Sequence, residues 1–180
     1  MPDLIPAWIN GTLTPVEKLE VHQRGLRHKA VSVFVLSGDR VLIQQRALSK
    51  YHTPGLWANT CCTHPHWDEP AITCADRRLS EELGLSDLTL TPAGQVEYRA
   101  EVGGGLTEHE VVDIFTAEAQ LTLPITPNPD EVMATAWIPL AQLLHETETT
   151  PARFTPWLRI YLHEHPHLLA QAAAALPQSP

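Results

Sequence analysis

Two cysteines, Cys61 and Cys62, stand side by side just ahead of His64, and Thr107-Glu-His-Glu-Val-Val sets Glu108 and Glu110 two residues apart. A thiol beside a metal or histidine has a lowered pKa and can act as acid, base or nucleophile. Side chains alternate along a strand, so Cys62 shares a face with Thr60 and His64, while Cys61 points the other way with Asn59. Buried cysteines are more often inert small hydrophobes. Cys61 and Cys74 are read that way, and Cys62 is assigned to chemistry through the face it shares with His64. By the same alternation Glu108 and Glu110 lie together, with His109 opposite. Two carboxylates that close repel unless a cation sits between them or one keeps a proton. A solvated edge is the common setting for such a pair, but the run into Val111, Val112, Ile114 and Phe115 argues for burial.

His22, His28 and His64 are candidate nitrogen ligands. With Glu108 and Glu110 they would form a mixed imidazole and carboxylate site. Carboxylate-rich, highly coordinated sites suit Mg²⁺ or Mn²⁺, and three imidazoles also suit Zn²⁺. Chain spacing alone does not bring the five together. His52, His66, His145, His163, His165 and His167 are assigned to the surface. Arg78 and Glu82 are four apart, on one face of a helix. An ordinary surface ion pair is worth little; the functional reading is a carboxylate holding Mg²⁺ beside an arginine holding phosphate. Lys18, Arg46 and Lys50 fall at element ends or in loops and can join Arg78 around an anion, although most such residues are simply solvated.

The elements that must position these groups follow from periodicity and punctuation. Ala7 to Gly11 predicts a short strand into a turn, and Thr14-Pro15 an N-cap with proline at the first helical position, or else a turn over Val16 to His22. His28 to Leu36 and Arg40 to Arg46 predict a β-hairpin about Ser37-Gly38-Asp39. Ala47 to Pro54 is a loop, and Leu56 to Thr63 a strand ended by His64-Pro65. Glu69 to Leu83 is the clearest helix, capped by Asp68 or Asp76, with Ile72, Ala75, Leu79 and Leu83 as its apolar stripe and Gly84 as its stop. Strands are expected over Gly94 to Val102 and Glu108 to Ala119, joined at Gly103-Gly104-Gly105, and over Met133 to Ile138. Leu140 to Leu144 and Phe154 to Leu176 read as helices, the second broken near Pro166. Strands dominate the first two-thirds and helices flank them, which predicts an α+β sandwich with a mixed sheet.

Composition narrows the function classes. The 180 residues fit one domain, expected over 1–176 with a frayed tail at 177–180. Apolar residues make up 43% and charged residues 18%, as in ordinary globular proteins. No run approaches the roughly 20 apolar residues of a membrane span. Met1 to Asn10 lacks the basic region of a signal peptide. Three cysteines, two of them adjacent, make a poor disulfide framework and suit a reducing cytoplasm. A net charge of −9 argues against nucleic acid as partner, and an anionic substrate would need a local basic cluster or a metal.

The stretch Thr63 to Leu85 resembles a degenerate Nudix box. Thr63 stands at the usual glycine, followed by Glu69 and Arg77-Arg78-Leu-Ser-Glu81-Glu82-Leu-Gly-Leu85, with arginine at Arg78 where hydrolases carry glutamate. That box, preceded by Asn-Thr-Cys-Cys-Thr-His-Pro, looks like type I isopentenyl-diphosphate Δ-isomerase. The likeness continues through Arg46-Ala-Leu-Ser-Lys50, Pro54-Gly-Leu-Trp57, Tyr98-Arg-Ala, Glu108-His-Glu110, Asp130-Glu-Val-Met133 and Phe154-Thr-Pro-Trp157. It covers nearly the whole chain, and departs where the His22 to His28 interval is one residue shorter than the family's.

The resemblance implies a Nudix-like α/β/α sandwich, cytoplasmic and monomeric or weakly homodimeric, with no nucleic-acid or membrane partner. It implies a prenyl diphosphate substrate, isomerised by protonation at C4 and deprotonation at C2 through a tertiary cation. The family's Mn²⁺, Mg²⁺ or Zn²⁺ ligands match His22, His28, His64, Glu108 and Glu110. A substrate-associated Mg²⁺ matches Glu82 and the Cys62 carbonyl. Diphosphate contacts match Lys18, Arg46, Lys50 and Arg78. Cys62 and Glu110 match the acid–base pair, with Glu110 favoured as acid, Tyr98 assisting and Trp157 over the hydrocarbon. A Nudix pyrophosphohydrolase is the alternative, supported by Glu69, Glu81 and Glu82.

Overall fold

The computed structural model describes residues 3–170 and residue 174, so the expected tail at 177–180 lies outside the described residues. One nine-stranded mixed sheet carries the fold. Its strands are β1 (Leu4–Ile9), β2 (Thr12–Glu17), β3 (Arg27–Ser37), β4 (Arg40–Arg46), β5 (Trp57–Ala58), β6 (Cys61–Thr63), β7 (Thr91–Gly103), β8 (Leu106–Glu118) and β9 (Val132–Pro139). The α-helices are α1 (Lys18–Arg24), α2 (Ala71–Leu83), α3 (Leu140–Thr149) and α4 (Pro156–Glu164).

β3 is the spine. It pairs in parallel with β8 from Arg27↔His109 to Leu36↔Glu118. Its other edge meets β1 at His28, β6 from Val31 to Val33, and β4 only at Leu36 and Ser37. Burial on both faces makes β3 almost continuously apolar. Val31, Val33 and Val35 pack with Cys61, Cys74, Ala75, Leu79 and Leu83, the last four-residue group coming from α2. Ala30, Phe34 and Leu36 belong to the other core, with Leu143 of α3 and Trp157, Leu158, Tyr161 and Leu162 of α4. Helices therefore cover both faces, the expected α/β/α sandwich.

Several local expectations differ from the structure. Thr14 and Pro15 lie in β2, an edge strand, where proline forfeits no ladder bond to a further neighbour. The helix begins at Lys18 instead, with the Glu17 carboxylate accepting from the Glu20 amide at 2.9 Å. The β3–β4 hairpin exists only as two residue pairs before its strands part. The Leu56–Thr63 strand is split, because Asn59 and Thr60 turn their side chains onto the backbone of neighbouring strands: Asn59 Nδ2 donates to Val33 O and Thr60 Oγ1 to Leu42 O. Helix α2 begins at Ala71. Neither Asp68, which has φ 65°, nor Asp76, inside the helix, caps it. Ile72 is exposed, and Cys74 takes its place in the buried stripe. The C-terminal helix is divided: residues 151–153 and 166–169 form 3-10 turns on either side of α4.

Candidate active site and metal centre

Strand register assembles the centre of the site. Tyr98 on β7 pairs with Glu110 on β8, and Glu110 pairs with His28 on β3. One row across three strands thus presents a phenol, a carboxylate and an imidazole on the same face. A second row pairs Ser32 with Cys62. Ser32 Oγ lies 3.1 Å from Cys62 Sγ and 3.1 Å from the Tyr161 hydroxyl. Cys61, its neighbour, points into the opposite core and is fully buried.

His22 reaches this centre from α1. The helix ends at Gly25, whose φ of 58° is left-handed. A Cβ there would meet Thr107 Cβ at 3.3 Å, so glycine suits the turn on both counts. The chain then enters β3 and brings His28 beside His22, ring centroids 4.9 Å apart.

His22, His28, His64 and Glu110 hold ligand atoms all within 4.8 Å of one another, and all four residues are buried. The hydrogen bonds behind them set the tautomers. His22 Nδ1 lies 2.7 Å from Lys18 O and His28 Nδ1 lies 2.7 Å from Leu26 O. A carbonyl accepts, so each Nδ1 carries the hydrogen and each Nε2 turns a lone pair inward. His22 Nε2 has no protein partner, and His28 Nε2 lies 3.2 Å from His64 Nε2. Burial pushes the His22 imidazole down to about 4 and His64 well below its ordinary value. Neutral imidazoles with converging lone pairs beside a buried carboxylate fit a divalent cation.

Glu108 falls into a second group, with His22 and His52. His52 is 5% exposed, contrary to its surface assignment. Its Nε2 lies 3.5 Å from Glu108 Oε1 and its ring stacks 5.7 Å from that of His22. Burial, then the nearby Arg46 charge, pushes it down to about 2. The signal that could have found it was local: Lys50, a residue already grouped around the anion, stands two residues before it in the Ala47 to Pro54 loop. The other expected surface histidines are not part of either group, and His66 is 56% exposed.

The Tyr98 hydroxyl lies 2.8 Å from both Glu108 Oε2 and Glu110 Oε2. Burial, then the Glu110 charge, pushes Glu108 well above the usual carboxylate range. Burial also acts to raise Glu110, but the neighbouring His28 and His64 imidazoles outweigh it and hold that group well down. Burial, then the Glu110 and Glu108 charges, pushes the Cys62 thiol up.

The adjoining cavity, about 30 Å³, is lined by Cys62, His64, Glu108 and Glu110, by Lys18, Arg46, Lys50, Arg78 and Glu82, and by Trp157. Arg78 Nη2 donates to Glu82 Oε1 at 2.6 Å, and Glu82 also accepts from Gln44 at 2.9 Å. At 4% exposure Glu82 is no surface carboxylate. The Arg46 guanidinium lies 5.3 Å from the Trp157 ring centre, and Arg46 Nε and Arg78 Nε are buried without partners. Glu69 is tied to Arg77, and Glu81 to both Arg77 and Arg78, and neither lines this cavity. A larger groove of about 560 Å³ between α3 and α4 contains none of these residues.

Comparison with known proteins places this geometry in context. The NUDIX domain family matches residues 26–158. The isopentenyl-diphosphate Delta-isomerase of Cereibacter sphaeroides (strain ATCC 17025 / ATH 2.4.3) is 66% identical over 92% of this chain and 93% of its own length. That of Roseobacter denitrificans is 64% identical over 92% and 94%. Among solved structures, DR0079 from Deinococcus radiodurans superposes with a TM-score of 0.71 at 12% identity, over 89% of this chain and 97% of that one. A MutT NUDIX hydrolase from Burkholderia pseudomallei does so at 0.58 and 22%, over 81% and 97%. These two likenesses concern the fold.

Proposed function

The chain belongs to the NUDIX domain family and, within it, to the isopentenyl-diphosphate Delta-isomerases, and from that premise we propose that Cys62 and Glu110 are the acid–base pair of its reaction. The enzyme isomerises isopentenyl diphosphate to dimethylallyl diphosphate. The observation that carries the residue assignment is the convergence of Cys62 and Glu110 on one cavity from different strands, with the cationic cluster lining the same cavity.

Glu110 delivers a proton to C4, where the alkene π pair forms the new C–H bond and leaves a tertiary cation at C3. Cys62 takes a proton from C2, and that C–H pair becomes the new C2–C3 double bond. One proton enters and one leaves, so no oxidant or reductant is needed. The protein without substrate, with Cys62 as thiol and Glu110 as carboxylate, corresponds to the state after C2 has been deprotonated. Each turnover must therefore return a proton to Glu110. The Tyr98 hydroxyl assists at Glu110, and Ser32 stabilises the Cys62 thiolate.

Trp157 faces the hydrocarbon, where its π system can stabilise a desolvated cation by about 2 kcal/mol. Exclusion of water matters because water would trap the cation.

His22, His28, His64, Glu110 and Glu108 would hold Mn²⁺, Mg²⁺ or Zn²⁺, with His52 beside Glu108. A divalent ion there supplies positive charge that neutralises the two carboxylates and strengthens Glu110 as an acid. Glu82 and the Cys62 carbonyl would hold the Mg²⁺ that arrives with the substrate. Lys18, Arg46, Lys50 and Arg78 hold the diphosphate, which resolves the conflict between an anionic substrate and a net charge of −9.

Paired variants test the assignment. Cys62→Ala removes turnover of isopentenyl diphosphate, whereas Cys61→Ala retains it. Equal activity in the two purified variants would overturn the role given to Cys62.

A further inference from the structure

Glu131 stands among the cations assigned to the diphosphate. Its carboxylate accepts from the Lys50 ammonium and lies 3.4 Å from Arg78 Nη2. The side chains of Lys50, Arg78 and Glu131 are only 18%, 18% and 23% exposed, which separates this group from freely solvated ion pairs. The main chain pins Glu131 in place. Ala47 N donates to Glu131 O at 2.9 Å, Glu131 N donates to Asn128 O at 3.0 Å, and Asn128 N donates to Glu82 O at 2.9 Å. Ser49 Oγ also donates to Asp130 O, at 3.2 Å. A fixed carboxylate thus bridges the loop carrying Lys50 and the helix carrying Arg78.

Substrate and product carry the same diphosphate. Contacts to it hold both equally, do nothing to lower the barrier between them, and slow the departure of product. Lys18 and Arg78 already face Asp3, Glu81 and Glu82, and the carboxylate that opposes Lys50 is Glu131.

We propose that Glu131 sets the affinity of the site: in the free protein it holds the Lys50 ammonium and stands beside the Arg78 guanidinium that Glu81 and Glu82 also engage, yields Lys50 to the incoming diphosphate, and reclaims it as product leaves. This rests on the assignment of the cation cluster to the diphosphate. Glu131 is a positioning and affinity-setting residue, remote from the carbon atoms that react.

Calorimetric titration with inorganic diphosphate and Mg²⁺ tests the proposal on wild type, Glu131→Gln and Glu131→Asp. The main-chain bonds that fix residue 131 remain in both variants. Removal of one half-buried charge among the cations predicts about tenfold tighter binding by Glu131→Gln, a gap that narrows as salt rises. Glu131→Asp restores the charge and returns the affinity to within about twofold of wild type. With isopentenyl diphosphate, KM falls in Glu131→Gln while kcat does not rise. Unchanged or weaker binding of diphosphate by Glu131→Gln would overturn the proposal and make Glu131 a strut for Lys50. Failure of the wild type itself to bind diphosphate would overturn the cation-cluster assignment, and this proposal with it.

Discussion

Replacing Tyr98 with phenylalanine removes one oxygen and almost no volume. That oxygen lies 2.8 Å from a carboxylate oxygen of Glu108 and 2.8 Å from one of Glu110, residues 2% and 1% exposed. A hydroxyl has one hydrogen, so it donates to one carboxyl group and accepts from the other. The pair therefore carries a proton when no cation is bound, and Glu108 is the group that burial and its neighbour push upward. Tyr98→Phe loses one bond to an ionised group, worth about 1.5–3 kcal/mol, and one neutral bond, worth about 1 kcal/mol. The total is about 3 kcal/mol, and at roughly 2–4 °C per kcal/mol for a chain of this size the metal-free Tm falls by about 6–12 °C. Saturating Mn²⁺ neutralises both carboxylates and shrinks the deficit to about 3 °C. The assisting role proposed for Tyr98 at Glu110 predicts a kcat lowered about 10²–10⁴-fold in the loaded enzyme. Scanning calorimetry with and without Mn²⁺, together with steady-state rates, measures all three. A Tm deficit that Mn²⁺ leaves unchanged, or an unaltered kcat, would refute the reasoning.

His52→Ala weakens Mn²⁺ binding by about tenfold or more, by analogy with groups that orient metal ligands, and titration of metal-free protein measures it directly. Glu69 is drawn down to about 2, chiefly by hydrogen bonds from Arg77. A depressed carboxylate contributes stability that is present above its unfolded pKa and lost as pH falls through the folded one. Glu69→Gln therefore costs about 1.5–3 kcal/mol at pH 7 and flattens the acid branch of the stability curve between about 4.5 and about 2, seen by urea unfolding across pH.

The face shared by Glu108 and Glu110 was legible from a spacing of two, and so was the opposition of Cys61 to Cys62. Those are properties of one strand. The row of Tyr98, Glu110 and His28 was not, because it depends on the register of three strands and on a parallel pairing between segments about eighty residues apart. His52 escaped because it sits in an aperiodic loop, and only the fold reveals that this loop covers His22. Thr14-Pro15 misled because the same dipeptide suits a helix start and an edge strand. Ile72 had the spacing of the buried stripe, but the helix starts two residues later than expected and Cys74 packs in its stead. Arg78 and Glu82 were visible as a helical pair, while the burial of Glu82 against Gln44 of β4 was not.

The most direct measurement is the fate of isopentenyl diphosphate incubated with the metal-loaded protein in D₂O. Proton delivery at C4 and removal at C2 predict dimethylallyl diphosphate with deuterium in the methyl group formed from C4, the diphosphate intact, and loss of this product on treatment with EDTA. Release of inorganic phosphate or a prenyl monophosphate, or dimethylallyl diphosphate formed without solvent deuterium, would contradict the acid–base isomerisation assigned to Cys62 and Glu110.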